Sequence, residues 1–223
     1  SYIVTTSWDG TARIWDARTG KSKVVFADQG PQPLNWVAVS PNGKLIATSG
    51  DDGTARIWDP LTGKEVTIFE GHTDRVMGVT FSPDGKYLLT CSIDGSARLW
   101  EVASGEEIRR FAGHPGGAFG AAFSPDGNYV LTSGRDGTAR LWDVKTGAEL
   151  RRFAGHTNEV RDVTFSPDGT YILTASEDST ARLWLTSLQD TIHEVCTTLT
   201  RDLTPEERIQ FNISDQGPTC PAQ

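Results

Sequence analysis

The chain has 223 residues, 37% hydrophobic and 22% charged, long enough to bury a sizeable core and ordinary in balance for a globular protein. A formal charge of −8 argues against a nucleic-acid or anionic-membrane surface, since both recruit clustered Lys and Arg. No apolar run approaches the roughly 20 residues that span a bilayer, no secretory leader is visible, and Cys91, Cys196 and Cys220 make no disulfide scaffold, so a cytoplasmic setting is expected.

The chain opens without methionine, Met77 being its only one, so Ser1 reads as a cut or processed end of a longer protein. Tyr2 to Ser7 then reads as a strand, followed by TARIWDARTG. That phrase returns as TARIWDPLTG, SARLWEVASG, TARLWDVKTG and, altered, STARLWLTSLQD; its tryptophans Trp15, Trp58, Trp100, Trp142 and Trp184 stand 43, 42, 42 and 42 residues apart. The one extra residue lies between Phe26 and Leu34, where ADQGPQP replaces the Gly-His pair found at Gly71-His72, Gly113-His114 and Gly155-His156. Such a period is the first thing to establish, because it decides the architecture.

The third copy shows one unit. Val76 to Phe81 alternates and closes on Ser82-Pro83-Asp84-Gly85, where proline presets φ and glycine tolerates positive φ. Tyr87 to Ser92, Ser96 to Glu101 and Glu107 to Phe111 complete four short strands, with Asp94-Gly95 as a hairpin turn. A four-stranded unit of this size cannot bury both faces alone, and radial stacking of units solves that. With Gly-His near the start and Trp-Asp near the end of its units, the sequence resembles the WD-repeat β-propeller family over residues 1–185, in a bacterial form. The resemblance implies an all-β fold, a propeller of four-stranded antiparallel blades (about 1–27, 28–70, 71–112, 113–154 and 155–185) followed by a short helical tail, 186–223. Five copies, the first beginning at its second strand, read as an incomplete ring, so self-association through open blade edges is expected.

His72, Ser92, Asp94 and Trp100 could suggest a catalytic set, but a triad is needed once and this set recurs as His156, Ser176, Asp178 and Trp184. The resemblance implies a structural relay instead, tying the first loop of a blade to its second and third strands. The fourth blade keeps His114, Asp136 and Trp142 but has Gly134 at the serine position. The second has Asp52 and Trp58, Gly50 for serine and no histidine, so it is expected to be the loosest internal blade. The arginines Arg13, Arg56, Arg98, Arg140 and Arg182 occupy one step of every unit, their stems expected to pack while each guanidinium finds an acid or water.

Where scaffold positions agree, the disagreements point to a shaped surface. The residue before the turn aspartate is Trp8, Asp51, Ile93, Arg135 and Glu177 in turn, and the second residue of the first strand is Asn35, Met77, Phe119 and Arg161. The resemblance places both steps at the rim of the central channel on the partner side. A partner-binding patch of Trp8, Trp36, Met77, Ile93 and Phe119 is therefore expected, edged by Asp51, Arg135, Arg161 and Glu177. No cofactor or metal is called for. The expected function is a non-catalytic scaffold that recognises a protein or peptide. The alternatives are the regulatory portion of a bacterial signalling protein with an upstream catalytic domain, and a propeller hydrolase.

After Trp184 the period stops: Leu185 takes the place of the acid and no Thr-Gly turn follows. Residues 190–201 have helical spacing, and Thr204-Pro205-Glu206-Glu207 is a helix start. RDLTPEERIQF is similar to tails that follow WD-repeat arrays in bacterial multidomain signalling proteins. Cys196 and Cys220 could bridge this tail or stay reduced, and reduced thiols are the first expectation.

Overall fold

The structure is a computed structural model and describes residues 2–27, 32–187 and 204–205. The tail helices and the Cys196–Cys220 pair lie outside the described residues. Among the described residues, eighteen strands form five sheets, each with its strands in sequence order. The first blade holds β1 (Tyr2–Thr6), β2 (Thr11–Asp16) and β3 (Ser22–Ala27); the second β4 (Leu34–Val39), β5 (Ile46–Gly50), β6 (Ala55–Trp58) and β7 (Glu65–Phe69). The third holds β8 (Val76–Phe81), β9 (Tyr87–Ser92), β10 (Ser96–Glu101) and β11 (Glu107–Ala112). The fourth holds β12 (Ala118–Phe123), β13 (Tyr129–Gly134), β14 (Thr138–Asp143) and β15 (Glu149–Ala154), and the fifth β16 (Val160–Phe165), β17 (Tyr171–Ser176) and β18 (Ala181–Leu185). All neighbouring strands pair antiparallel.

The inner strands β4, β8, β12 and β16 pack side by side, so the sheets fan around a common axis as an incomplete β-propeller. Each inner strand shifts register against its neighbour, as at Val76/Gly78 and Val160/Asp162. The local turns follow the sequence closely. Ser82 Oγ donates to Asp84 Oδ1 at 2.6 Å and accepts from Tyr87 N at 2.9 Å, while Gly85 takes φ 72° to close the turn.

The core lies between blades rather than within them. Ala47, Ile57 and Phe69 of the second blade share one buried cluster with Val79, Leu88 and Trp100 of the third. Leu89, Leu99 and Phe111 meet Val130 and Trp142 of the fourth in the same way. At each interface a phenylalanine of the outer strand meets the next blade's repeat tryptophan. Phe26–Trp58, Phe69–Trp100, Phe111–Trp142 and Phe153–Trp184 have ring centroids 5.5 to 5.8 Å apart. Tilted pairs at this distance add about 0.5–1.5 kcal/mol beyond burial, which gives the invariant Phe…Trp step its physical reason.

Candidate functional site

The relay forms, with a different hydroxyl from the expected one. Trp100 Nε1 donates to Thr90 Oγ1 at 2.9 Å, and Thr90 Oγ1 lies 2.8 Å from His72 Nε2. His72 Nδ1 then lies 2.9 Å from Asp94 Oδ2. An ionised carboxylate only accepts, so Nδ1 carries the proton and Nε2 accepts from the threonine. Thr132 and Thr174 do the same for His114, Asp136 and Trp142 and for His156, Asp178 and Trp184. Ser92 and Ser176 brace the turn instead: each accepts from the aspartate N–H, at 3.1 Å, and donates to the carbonyl of Asp74 or Asn158. The serine assignment is thereby corrected. Thr90 and Ser92 lie two apart on β9, hence on one face, but the register sets Thr90 opposite Arg98, within reach of Trp100.

Gly134 is therefore no gap in the fourth relay. A Cβ there would stand 2.3 Å from His114 Nδ1, so the histidine packs on the space a serine would fill. Burial would raise the Asp94 carboxyl, but hydrogen bonds from Ser96 and His72 outweigh it and hold it at about 2. Burial pulls His72 below its ordinary value, against the opposing pull of Asp94, so the ring is neutral.

The repeat arginines close the same network. Arg140 reaches Asp136 at 2.7 Å and Glu149 at 2.9 Å, and Arg56 reaches Asp52 and Glu65 at 2.8 Å. Arg98 reaches Glu107 at 2.7 Å. These guanidiniums pair with acids of their own blade, and Arg98 and Arg140 are buried, so they form no open basic ring. They also explain the glycine before each histidine: a Cβ at Gly71, Gly113 or Gly155 would stand 2.6 to 2.8 Å from an arginine Nη1.

The expected patch is partly brought together. Trp8 stands in the β1–β2 turn, 81% exposed, and Trp36 on β4 is 48% exposed. Phe119, in contrast, is 6% exposed, and its expected role as an exposed anchor is corrected. Two guanidiniums roof it, Arg161 at 4.3 Å and Arg135 at 5.6 Å from the ring centroid, in cation–π geometry. Glu159, which the sequence reading did not single out, holds both: Arg135 Nε donates to its Oε1 at 2.7 Å and Arg161 Nη2 forms an ion pair with its Oε2 at 2.9 Å, while Arg161 Nε also donates to Glu177 at 2.7 Å. Asp51 accepts from Asn35 Nδ2 at 2.8 Å, and Asn35 bridges on to the carbonyl of Val76, beside half-buried Met77. Ile93 lies against Gly117 of the next blade. Arg135 and Arg161, still partly exposed, thus cover Phe119 as well as edging it.

Beside Trp36, Phe119 and Arg161 a cavity of about 30 Å³ opens toward Asp162, whose carboxyl burial pushes above its usual value. Behind it the buried Cys91 thiol donates to the carbonyl of Phe119 at 2.8 Å, and burial raises its pKa. The three repeat histidines belong to three different blades and are committed to threonine and aspartate within them. Among the described residues no three His, Cys, Asp or Glu side chains are grouped to hold a metal ion, and no helix is long and apolar enough to cross a membrane.

Residues 1–203 match the family model described as IFT122 first beta-propeller. No curated protein matches the chain. The family match lends no support to the bacterial form suggested by the tail. Its reach across all five sheets, together with the recurring Gly-His and Trp-Asp steps and the relay they build, places the chain in the WD-repeat β-propeller family represented by the IFT122 first beta-propeller.

Proposed function

We propose that the chain is a non-catalytic protein-interaction module whose partner docks on the face carrying the β1–β2, β5–β6, β9–β10, β13–β14 and β17–β18 turns. The observation that carries this reading is the variation at one repeat step. Turns that share a scaffold display in succession Trp8, Asp51, Ile93, Arg135 and Glu177, with an exposed tryptophan at one end and an ion network over Phe119 at the other. An exposed aromatic anchor beside oriented charges is the composition of an interface core and rim. The three described histidines, which a hydrolase would draw on, are each held by a threonine and an aspartate in the relay. The alternative of a bacterial signalling protein's regulatory portion rests on the tail segment alone and draws nothing from the described residues.

The test is comparative affinity capture with the full chain, its Trp8→Ala/Arg161→Ala variant, and Lys86→Ala, an exposed residue of the β8–β9 turn, as a control at the opposite end of the blades. Partners retained by wild type and control should be lost from the double variant, with at least about tenfold weaker binding if Trp8 is a hot spot. Equal retention by all three proteins would refute this face.

A further inference from the structure

The lower ends of the blades, away from the face just described, contain grooves between neighbouring sheets. In two of them an arginine from the outer strand fills the space. Arg109 of β11 donates to three carbonyls of the next blade's β14–β15 turn: Nε to Val144 at 3.1 Å, Nη2 to Lys145 at 2.7 Å and Nη1 to Thr146 at 3.0 Å. Its stem packs on Gly147. Arg151 of β15 occupies the same step one blade on, its Nη1 reaching the carbonyls of Leu185 at 2.8 Å and Thr186 at 3.4 Å.

Between the first and second blades the same step of β3 is Val24, which lies against Gly63 as Arg109 lies against Gly147. Valine cannot reach the equivalent carbonyls of Pro60, Leu61 and Thr62, and no other described side chain donates to them. A second difference falls in the same place. Val102, Val144 and Thr186 each donate their N–H to a carbonyl of the preceding turn, at Lys86, Asn128 and Thr170, at 2.9 to 3.0 Å. The corresponding residue of the second blade is Pro60, which has no N–H, so this tie to Lys44 is missing. Between the second and third blades the arginine step is Thr67, but the tie is kept, from Val102 to Lys86.

Both losses coincide with a groove of about 670 Å³ walled by Ile14, Val24, Leu45, Pro60, Leu61 and Val66. Its lining is mostly apolar, and its turn carbonyls lack the guanidinium that caps their counterparts; Asp59, Lys44 and Tyr2 also stand on its wall. Lys23, also on the wall, is paired with Asp16 at 2.8 Å. We propose that this groove is a docking site for an arginine side chain of a protein partner, presented beside an apolar residue. The guanidinium would cap the Pro60, Leu61 and Thr62 carbonyls as Arg109 caps theirs, and the apolar neighbour would cover Leu61 and Val66. The acidic balance of the chain, −8, suits a basic partner segment.

The probe is a blocked synthetic peptide, acetyl-Glu-Leu-Arg-Arg-Phe-Ala-amide, which copies the chain's own groove-filling strand, titrated into the labelled full chain by NMR. Amide shifts are expected at Leu45, Leu61 and Val66. Replacing both peptide arginines by uncharged citrulline should weaken binding at least about tenfold, the worth of a charged hydrogen-bond set. Val24→Arg, which supplies the guanidinium from within, should abolish binding. Pro60→Val, which restores the missing N–H, should weaken it and serves if the first variant does not fold. Equal affinity for the citrulline peptide, shifts elsewhere only, or undiminished binding by the folded variants would overturn the proposal. Groove shifts that grow with protein concentration alone would make a second copy the occupant, and would overturn it equally.

Discussion

At the scale of single residues, the central fact is that Thr90 Oγ1 serves two buried partners at once. It accepts from Trp100 Nε1 and donates to His72 Nε2, so removing it strands a donor and an acceptor together. Ser92 lies on the same strand face but bonds only backbone groups near the turn. Leaving one buried polar group unsatisfied costs about 1–3 kcal/mol. Thr90→Val is therefore expected to destabilise the chain by about 2–4 kcal/mol in urea unfolding, and Ser92→Ala by about 1 kcal/mol. The reverse order would return the serine to the relay. The sequence made the relay legible as a repeated set of residue types, and it failed on the hydroxyl for a definite reason. Periodicity of two names a face, and both hydroxyls occupy it, whereas only cross-strand register says which one stands level with the tryptophan. Phe119 was misread for a related reason: its step faces the rim, but the long side chains of Arg135 and Arg161 on neighbouring elements fold over it.

At the scale of the element, the blades differ in how many ties hold the inner loop to the sheet. The third blade has the full chain from Trp100 through Thr90 and His72 to Asp94, and Thr73 N also donates to Asp94. In the second, Trp58 still donates to Thr48 at 2.8 Å, but the sequence has no histidine in the segment before β4. Asp52 there turns to Arg56 and to its own turn at Thr54. Without that histidine the His–Asp link of the third blade has no counterpart here, and opening free energy should fall by roughly 1.5 kcal/mol, or about tenfold in exchange rate. Amide hydrogen exchange is expected to be about that much faster in β5 than in β9; equal protection would mean that the Asp52–Arg56–Glu65 pairs make good the loss. Most strand limits were readable in advance because proline and glycine mark most turns, as in Ser82-Pro83-Asp84-Gly85; the β17–β18 turn instead places Ser179 at φ 67°. The missing histidine of the second blade, on which the expected difference in exchange rests, was readable too. The fourth blade was not: Gly134 reads as a lost serine until the imidazole of His114 is found packed on it.

At the scale of the whole molecule, the core is built from interfaces, and the two outermost sheets each present half of one. Leu89 and Leu99 of the third blade, and Leu131 and Leu141 of the fourth, are buried by the blade that follows. Their counterparts in the fifth, Leu173 and Leu183, are 43% and 64% exposed. At the other end Ile3 is 55% exposed, where Leu88 and Val130 at the same step are buried by the blade before. The two surfaces are complementary by construction, since the same residue types join face to face at every internal interface. A surface that fits the opposite end of another copy makes a head-to-tail contact, which extends into open chains unless the rotation closes. Sedimentation velocity should accordingly show association of this chain that increases with concentration. Leu183→Lys places a charge in the middle of the trailing half and should shift the distribution to monomer. Because Leu183 is exposed in the single chain, its thermal midpoint should stay close to wild type, within the roughly 0.5 kcal/mol typical of surface changes. Leu141→Lys, the same substitution one blade earlier, should unfold the fourth and fifth blades instead. Persistence of the association in Leu183→Lys would show that the blade ends do not drive it.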